Sequence, residues 1–336
     1  MNEPPATLPP RVVGLGESLL RLSAPGHERL EQAADLRVHV GGAEMNVLIG
    51  AAALGLPATW LTRLADNPLG RRVAAHARAH GVAAHVDWDG AARAPLYFVE
   101  HGAHPRPSEV LYDRSATAMT RLTPDTFAWD DAVAGAGAAV CSGITCALGP
   151  GPAAAVEALF AAARRAGAHT AFDVNHRAKL WTWEQAVPVL RRLLPSVDLL
   201  LAGRQDLLRL LPDASPEETQ VALAHRAITE FGCGTVVLRE TAQLTGRRVA
   251  TSVVAVTAGG EVASPTYEAD VVDAFGAGDA ALGALIASRL TGDDLAAAVD
   301  KAAWAGAFQH TLPGDACTMR PADLGRRGAP ARRILR

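Results

Sequence analysis

The sequence predicts an α/β fold, a parallel β-sheet with helices on both faces. Three observations carry this. Short apolar runs at 138–142, 169–174, 197–202 and 235–239 alternate with helical patterns at 152–166, 183–194, 204–211 and 216–231. The runs are near-continuously apolar rather than alternating in polarity, as strands buried on both faces require. The 336 residues, 49% of them hydrophobic, supply core for one large domain or two small ones. A net charge of −3 with dispersed arginines gives no basic face, which argues against nucleic acid as a partner. The longest uncharged run, 132–156, is broken by glycines and prolines and does not make a membrane span. Residues 1–10 are Pro-rich without an export pattern, and Cys141, Cys146, Cys233 and Cys317 lack zinc-ligand spacing. A cytoplasmic protein with reduced, buried thiols is expected.

In chain order, residues 12–15 form a strand followed by Gly16-Glu17, and 35–40 read as an exposed strand. Gly41-Gly42-Ala43-Glu44-Met45-Asn46 opens a helix that runs to Leu54 and stops at Gly55. The paired glycines make either an ordinary turn or a place where a ligand approaches the backbone closely, with Asn46 offering a donor and an acceptor. Residues 59–64 form a strand, and Asp66-Asn67-Pro68 starts a helix to His80. The βα rhythm stops between 82 and 118. There, 96–100 and 109–114 form an inserted hairpin carrying Tyr97, Tyr112 and Arg114. These side chains are either solvated decoration or a lid over a polar ligand. Ligands of parallel sheets sit beyond the carboxyl ends of the strands, where Asp173, Asn175, Arg177, Asp206 and Arg239-Glu240 fall.

The most informative stretch is 271–282. Val271-Val272 suggests a strand end, and Asp273 to Asp279 makes a turn of small residues around Phe275. A helix over 280–290, rich in Ala and Leu, follows. Backbone amides of Gly276, Ala277 and Gly278 crowd the first turn of that helix, where N–H groups lack intrahelical acceptors and the dipole favours an anion. A carboxylate there would repel the anion. Two readings of Asp279 therefore stand: it caps the helix, or it takes the proton of a neutral hydroxyl attacking a phosphorus held by the amides. A dinucleotide fingerprint is disfavoured because too little chain follows the turn. A P-loop is excluded because neither lysine, Lys179 or Lys301, follows a glycine.

Taken together, the chain resembles the ribokinase-like (PfkB) carbohydrate kinases over residues 11–320, and within them the 2-keto-3-deoxygluconate kinases. The resemblance rests on Gly41-Gly42-Ala43-Glu44-Met45-Asn46, Val110-Leu111-Tyr112-Asp113-Arg114 and Ser142-Gly143-Ile144-Thr145. Asp173-Val174-Asn175-His176-Arg177 with Leu180-Trp181, and Gly276-Ala277-Gly278-Asp279, complete it. It implies a three-layer α/β/α ribokinase-like domain over 11–322, with a mainly parallel central sheet and a small β-lid from segments near 17–40 and 94–116. A flexible tail over 1–10 and an Arg-rich tail over 323–336 flank it. By resemblance, Asp279 is the general base and the Gly276–Gly278 amides form the anion hole. Gly42, Asn46, Tyr97, Tyr112, Arg114, Arg177 and Asp315 hold a sugar acid. Asn175, Arg177, Arg239 and the same amides face ATP, and Asp206 contacts Mg²⁺. The implied reaction is ATP- and Mg²⁺-dependent phosphorylation of the terminal hydroxyl of a 2-keto-3-deoxy sugar acid, by a homo-oligomer assembled through the lid.

Three positions depart from the family pattern. Ala274-Phe275 puts a bulky ring beside the anion cradle, Arg239-Glu240-Thr241-Ala242-Gln243 has lost the glycines of a nucleotide loop, and Gly203-Arg204-Gln205-Asp206 keeps an acid but loses an amide. All lie on the nucleotide and metal side, so weak ATP contact is expected there. Rival readings are a kinase of fructose, 2-ketogluconate or another small polyol, and a sugar-acid-binding regulatory protein with a weakened nucleotide site.

Overall fold

The computed structural model describes residues 10–328. The tail expected over 1–10, apart from Pro10, and the end of the C-terminal tail lie outside the described residues.

The chain begins with β1 (Arg11–Leu15), β2 (Leu19–Ser23) and β3 (Arg37–Gly41). Next come α1 (Ala43–Ala53), β4 (Ala58–Ala65), α2 (Pro68–Ala79), β5 (Val82–Asp89), β6 (Leu96–Glu100) and β7 (Glu109–Asp113). The middle contains α3 (Trp129–Val133), β8 (Ala136–Ser142), α4 (Gly143–Ala147), α5 (Pro150–Arg165) and β9 (His169–Asp173). It continues through α6 (Trp183–Leu193), β10 (Leu199–Leu201), α7 (Arg204–Leu210) and α8 (Gln220–Phe231). The last part is β11 (Thr235–Thr245), β12 (Arg248–Thr257), β13 (Gly260–Ala263), β14 (Tyr267–Asp270), α9 (Ala277–Leu290), α10 (Leu295–His310) and α11 (Pro321–Leu324).

The large sheet has the order β13-β12-β11-β10-β9-β8-β1-β4-β5, with β14 paired to β12. It is parallel from β11 to β5 and antiparallel beyond β11. Alternate residues of a strand serve opposite layers. Val13 and Leu15 join a core with Leu159, Phe160, Leu190 and Leu223, whereas Val12 joins one with Leu48, Val73, Leu285 and Val299. Helices therefore cover both faces, α3 to α8 on one and α1, α2, α9 and α10 on the other. A second, four-stranded sheet of order β3-β2-β6-β7 stands over one end. All four cysteines are buried and free, and no helix of the described residues is long and apolar enough to cross a membrane.

Several elements differ from expectation, each for a physical reason. The rhythm does not stop at 82, since β5 is an eight-residue parallel strand. As an edge strand it is only partly buried, so its Ala- and His-containing sequence lacks apolar contrast. Strand β2 escaped notice because Arg21 interrupts its apolar run. Arg239–Gln243 is not a loop after a strand. It is part of β11, paired in register with 249–253 of β12. Val271-Val272 follows β14 rather than ending a strand, and α9 begins at Ala277, three residues earlier than expected. Residues after 322 are not all a solvated terminus either. Asp323 is buried, its carbonyl accepts from Trp304 Nε1 at 3.1 Å, and Arg327 pairs with Asp300 at 2.9 Å.

Candidate active site

The turn at 273–279 leads into the N-terminus of α9. Gly276 is the N-cap of α9 with φ 76°, a left-handed conformation, and a Cβ there would overlap the Asp315 carbonyl oxygen. Only glycine fits on either count. The helix-cap reading of Asp279 fails geometrically, because Gly276 occupies the cap and no side chain caps α9. Asp279 lies in the first turn instead. Its Oδ2 accepts from Asn46 Nδ2 at 2.8 Å, delivered by the start of α1 from 233 residues away. Burial, opposed by the Asn46 hydrogen bond and by Arg177, raises its pKa to about 6.

Two cavities meet at this carboxylate. The first, of ≈ 200 Å³, lies under the small sheet and brings together Gly42, Asn46, Tyr97, Tyr112, Arg114, Asn175, Arg177 and Asp315. The second, of ≈ 420 Å³, lies at the carboxyl ends of the parallel strands. It is lined by Asp173, Asn175, Arg177, Gly203, Arg239 and the turn 274–279. Both contain Asn175, Arg177, Phe275, Gly276 and Asp279, so these residues are their common wall. Every expected site residue except Asp206 lines one cavity or the other.

On the lid side, several residues have roles that the sequence did not reveal. Arg114 is buried and pairs with Glu17, which also accepts from Thr117 Oγ1 at 2.8 Å. Arg114 and Arg177 are therefore not two uncompensated cations facing one cleft, since Arg114 has its counter-charge and Arg177 is exposed. Arg114 Nε remains buried without a partner among the described residues. Tyr97 stacks on Tyr112 with centroids 5.8 Å apart and donates to Asp315, which pairs with buried Arg21 at 2.9 Å. Phe275, expected to crowd the anion cradle, packs its ring towards Tyr97 and over the Arg21 guanidinium, 4.4 Å away. Glu44 does not face a cavity. It accepts from Ser142 Oγ at 2.6 Å and Thr145 Oγ1 at 2.8 Å, bracing α1 against β8 and α4. No spacing within the sequence signals Arg21 or Glu17, because their partners lie far along the chain.

The other cavity is less compensated. Burial and the nearby Asp279 and Asp206 carboxylates push Asp173 up to about 8. Asp173 Oδ1 accepts from the Asn175 amide at 3.0 Å, within a turn where Asn175 takes a positive φ of 39°. Asp206 accepts from the Gly203 amide at 2.8 Å, and burial raises its pKa too. Arg239 enters from β11 just past the parallel pairing and lies beside Gly278. Burial lowers its pKa, and its Nη1 is buried without a partner among the described residues. Glu240 points elsewhere. It is exposed, accepts from Gln220 and does not line the cavity.

The described residues contain no group of three or more His, Cys, Asp or Glu side chains arranged to hold a metal. Asp173 and Asp206 nevertheless suit Mg²⁺, which keeps several waters and leans on one or two carboxylates plus ligand phosphates. Burial and two neighbouring carboxylates raise Asp173, and burial raises Asp206, which fits such an ion.

Residues 10–320 match the family described as pfkB family carbohydrate kinase. A 2-dehydro-3-deoxygalactonokinase of Haloferax volcanii is 38% identical over 94% of this chain and 95% of its own. A 2-dehydro-3-deoxygluconokinase of Thermoproteus tenax is 32% identical over 90% and 89%. The crystal structure of 2-dehydro-3-deoxygluconokinase from Thermotoga maritima superposes with a TM-score of 0.89 at 34% identity, covering 94% of this chain and 97% of that one.

Proposed function

The chain belongs to the pfkB family of carbohydrate kinases, and from that premise we propose that it phosphorylates the C6 hydroxyl of 2-keto-3-deoxygluconate or a closely related sugar acid with ATP. The observation that carries this reading is the shared wall. Gly276 and Asp279 stand between a lid-side cavity with arginine and tyrosines and a strand-end cavity that also holds Ala277, Gly278, Asp173 and Arg239. An acceptor fits the first and a polyphosphate the second. The acceptor oxygen attacks the γ-phosphorus, and the bond from that phosphorus to the β–γ bridging oxygen breaks to release ADP. The hydroxyl proton passes to Asp279, whose pKa of about 6 lets it be ionised at neutral pH yet basic enough to help. The cradle amides stabilise charge spread over the transferring phosphoryl.

Asp206 and Asp173 would hold Mg²⁺, which when bound neutralises charge on the β- and γ-phosphates. Arg239 Nη1, buried and unpartnered, supports a phosphate contact there. Arg114 Nε supports a carboxylate contact on the lid side. Exposed Leu36, Val38 and Leu111 on the lid support a homo-oligomer formed through it.

One observation favours a second reading. The Arg114–Glu17 pair is internally neutral, which would also suit a neutral ketose or polyol. The experiment is a panel of sugar acids and neutral sugars with ATP and Mg²⁺, run on the wild type and on Arg114→Ala. The sugar-acid reading expects turnover confined to keto acids and a KM for them raised about tenfold or more in the variant. Preferential turnover of a neutral sugar, with equal losses on both classes, rejects it.

A further inference from the structure

Arg21 is the largest charged side chain among the described residues that is fully buried, at 1% exposure. It belongs to the lid strand β2, yet all but one of its polar contacts leave that strand. Nη1 pairs with Asp315 at 2.9 Å, Nη2 with Asp273 at 2.8 Å, and Nε donates to Ser23 Oγ at 2.9 Å. Nη2 also lies 3.1 Å from His101 Nε2, and the guanidinium face is covered by Phe275. The two carboxylates it joins are the two ends of the anion cradle's support. Asp273 Oδ2 accepts from the Gly314 amide at 3.0 Å, and the Asp315 carbonyl abuts the left-handed Gly276. Gln309 Nε2 spans the same gap, donating to the Phe275 and Gly314 carbonyls at 3.2 and 2.8 Å.

From this we infer that Arg21 is a positioning residue, a cation built into the lid that sets the geometry of the phosphoryl-binding turn 273–278. The inference rests on the reading of the Gly276–Gly278 amides as the phosphoryl cradle. Two buried carboxylates flank the cradle's support, and without a cation between them they repel each other and whatever anion the turn holds. A bidentate guanidinium satisfies both at fixed spacing, which a lysine ammonium cannot reproduce. Because the same guanidinium hangs from β2, the lid sheet and the cradle shift together rather than independently. The Phe275 ring gives that guanidinium an aromatic face and closes it off from solvent.

The effect should fall on the chemical step. An anion hole misplaced by a fraction of an ångström loses transition-state stabilisation, of the order of 10²-fold in rate, while the ground-state contacts of sugar and nucleotide persist. The test measures kcat and KM for both substrates in the wild type, Arg21→Lys and Arg21→Ala, with folding checked by circular dichroism and melting. Arg21→Lys retains the charge and is expected to fold, with kcat about tenfold lower and both KM values within about threefold. Arg21→Ala is expected to lose about 10²-fold in kcat and to regain about tenfold with millimolar guanidinium ion, far below denaturing levels. Wild-type kcat in folded Arg21→Lys, or losses confined to KM, would overturn the inference. So would absent rescue of a folded Arg21→Ala, or an Arg21→Lys that does not fold. A wild type inert on every sugar acid would instead sink the kinase reading itself, which keeps the two failures distinct.

Discussion

The two cavities that meet at Asp279 follow opposite electrostatic plans. On the lid side the strong charges are paired within the protein: Arg21 with Asp273 and Asp315, and Arg114 with Glu17. On the strand-end side burial with Asp279 and Asp206 raises Asp173, burial raises Asp206, and Arg239 Nη1 sits buried without a partner among the described residues. Satisfied polar networks hold a shape, whereas unsatisfied ones carry a standing cost that a ligand can relieve. The comparison teaches that charge is largely balanced within the fold on the lid side, though Arg114 Nε is left without a partner among the described residues, and is left unbalanced at the strand ends. Asp279 lines both, held by Asn46 from the lid side, with burial raising its pKa.

The largest expected effect tests the shared wall. Asp279→Asn is isosteric and should lower kcat by about 10²–10⁴-fold with KM for the sugar acid nearly unchanged. The wild-type rate should fall as pH drops through about 6, where the base protonates, and the residual rate of the variant should lack that step. Steady-state kinetics across pH checks both, and a variant with wild-type turnover would leave Asp279 as a passive acid.

A smaller effect separates the halves. Arg239→Ala removes the only cation besides Arg177 that lines the strand-end cavity among the described residues. The KM for ATP should rise by about thirtyfold, equivalent to ~2 kcal/mol, with the KM for the acceptor within about twofold. Comparable losses on both substrates would show that the two sides are not independent.

The standing cost of the donor half is measurable without activity. Burial and neighbouring acids raise Asp173 to about 8 in the folded protein, above its unfolded value. The folded state therefore binds more protons between about pH 4 and 8, and its stability declines as pH rises through that window. Asp173→Asn should stabilise the ligand-free protein by about 1–3 kcal/mol at pH 8 and by almost nothing near pH 4. Urea melts at the two pH values check this, and equal effects at both would mean that Asp173 is not charge-stressed.

The smallest expected effect is none. Glu240 lies outside the strand-end cavity, turned towards Gln220. Glu240→Gly should leave the KM for ATP within about twofold of wild type, as surface substitutions away from a ligand do. A tenfold change would place the nucleotide farther along β11 than the cavity extends.

How far the molecule could be read from its sequence varied from residue to residue. The glycine turn was legible because it is local: Gly276, Ala277, Gly278 and Asp279 are adjacent, and the Ala-rich helix after them follows from propensity. The strands from β8 to β10 were legible because both faces are buried, which leaves an unbroken apolar record. Edge strand β5 left no such record, and Arg239–Gln243 read as a degraded loop because a strand's partner is not written beside it. The sequence alone thus determined the layered α/β class, the glycine turn that opens α9, the acid beside it and, by resemblance, the enzyme family. Only the tertiary structure decided which charges are neutralised. Arg21 and Asp315 are 294 residues apart, Arg114 and Glu17 are 97 apart, and Asn46 and Asp279 are 233 apart. An ionic contact depends on distance and on the water removed around it, and neither is set until the sheet has brought those segments together.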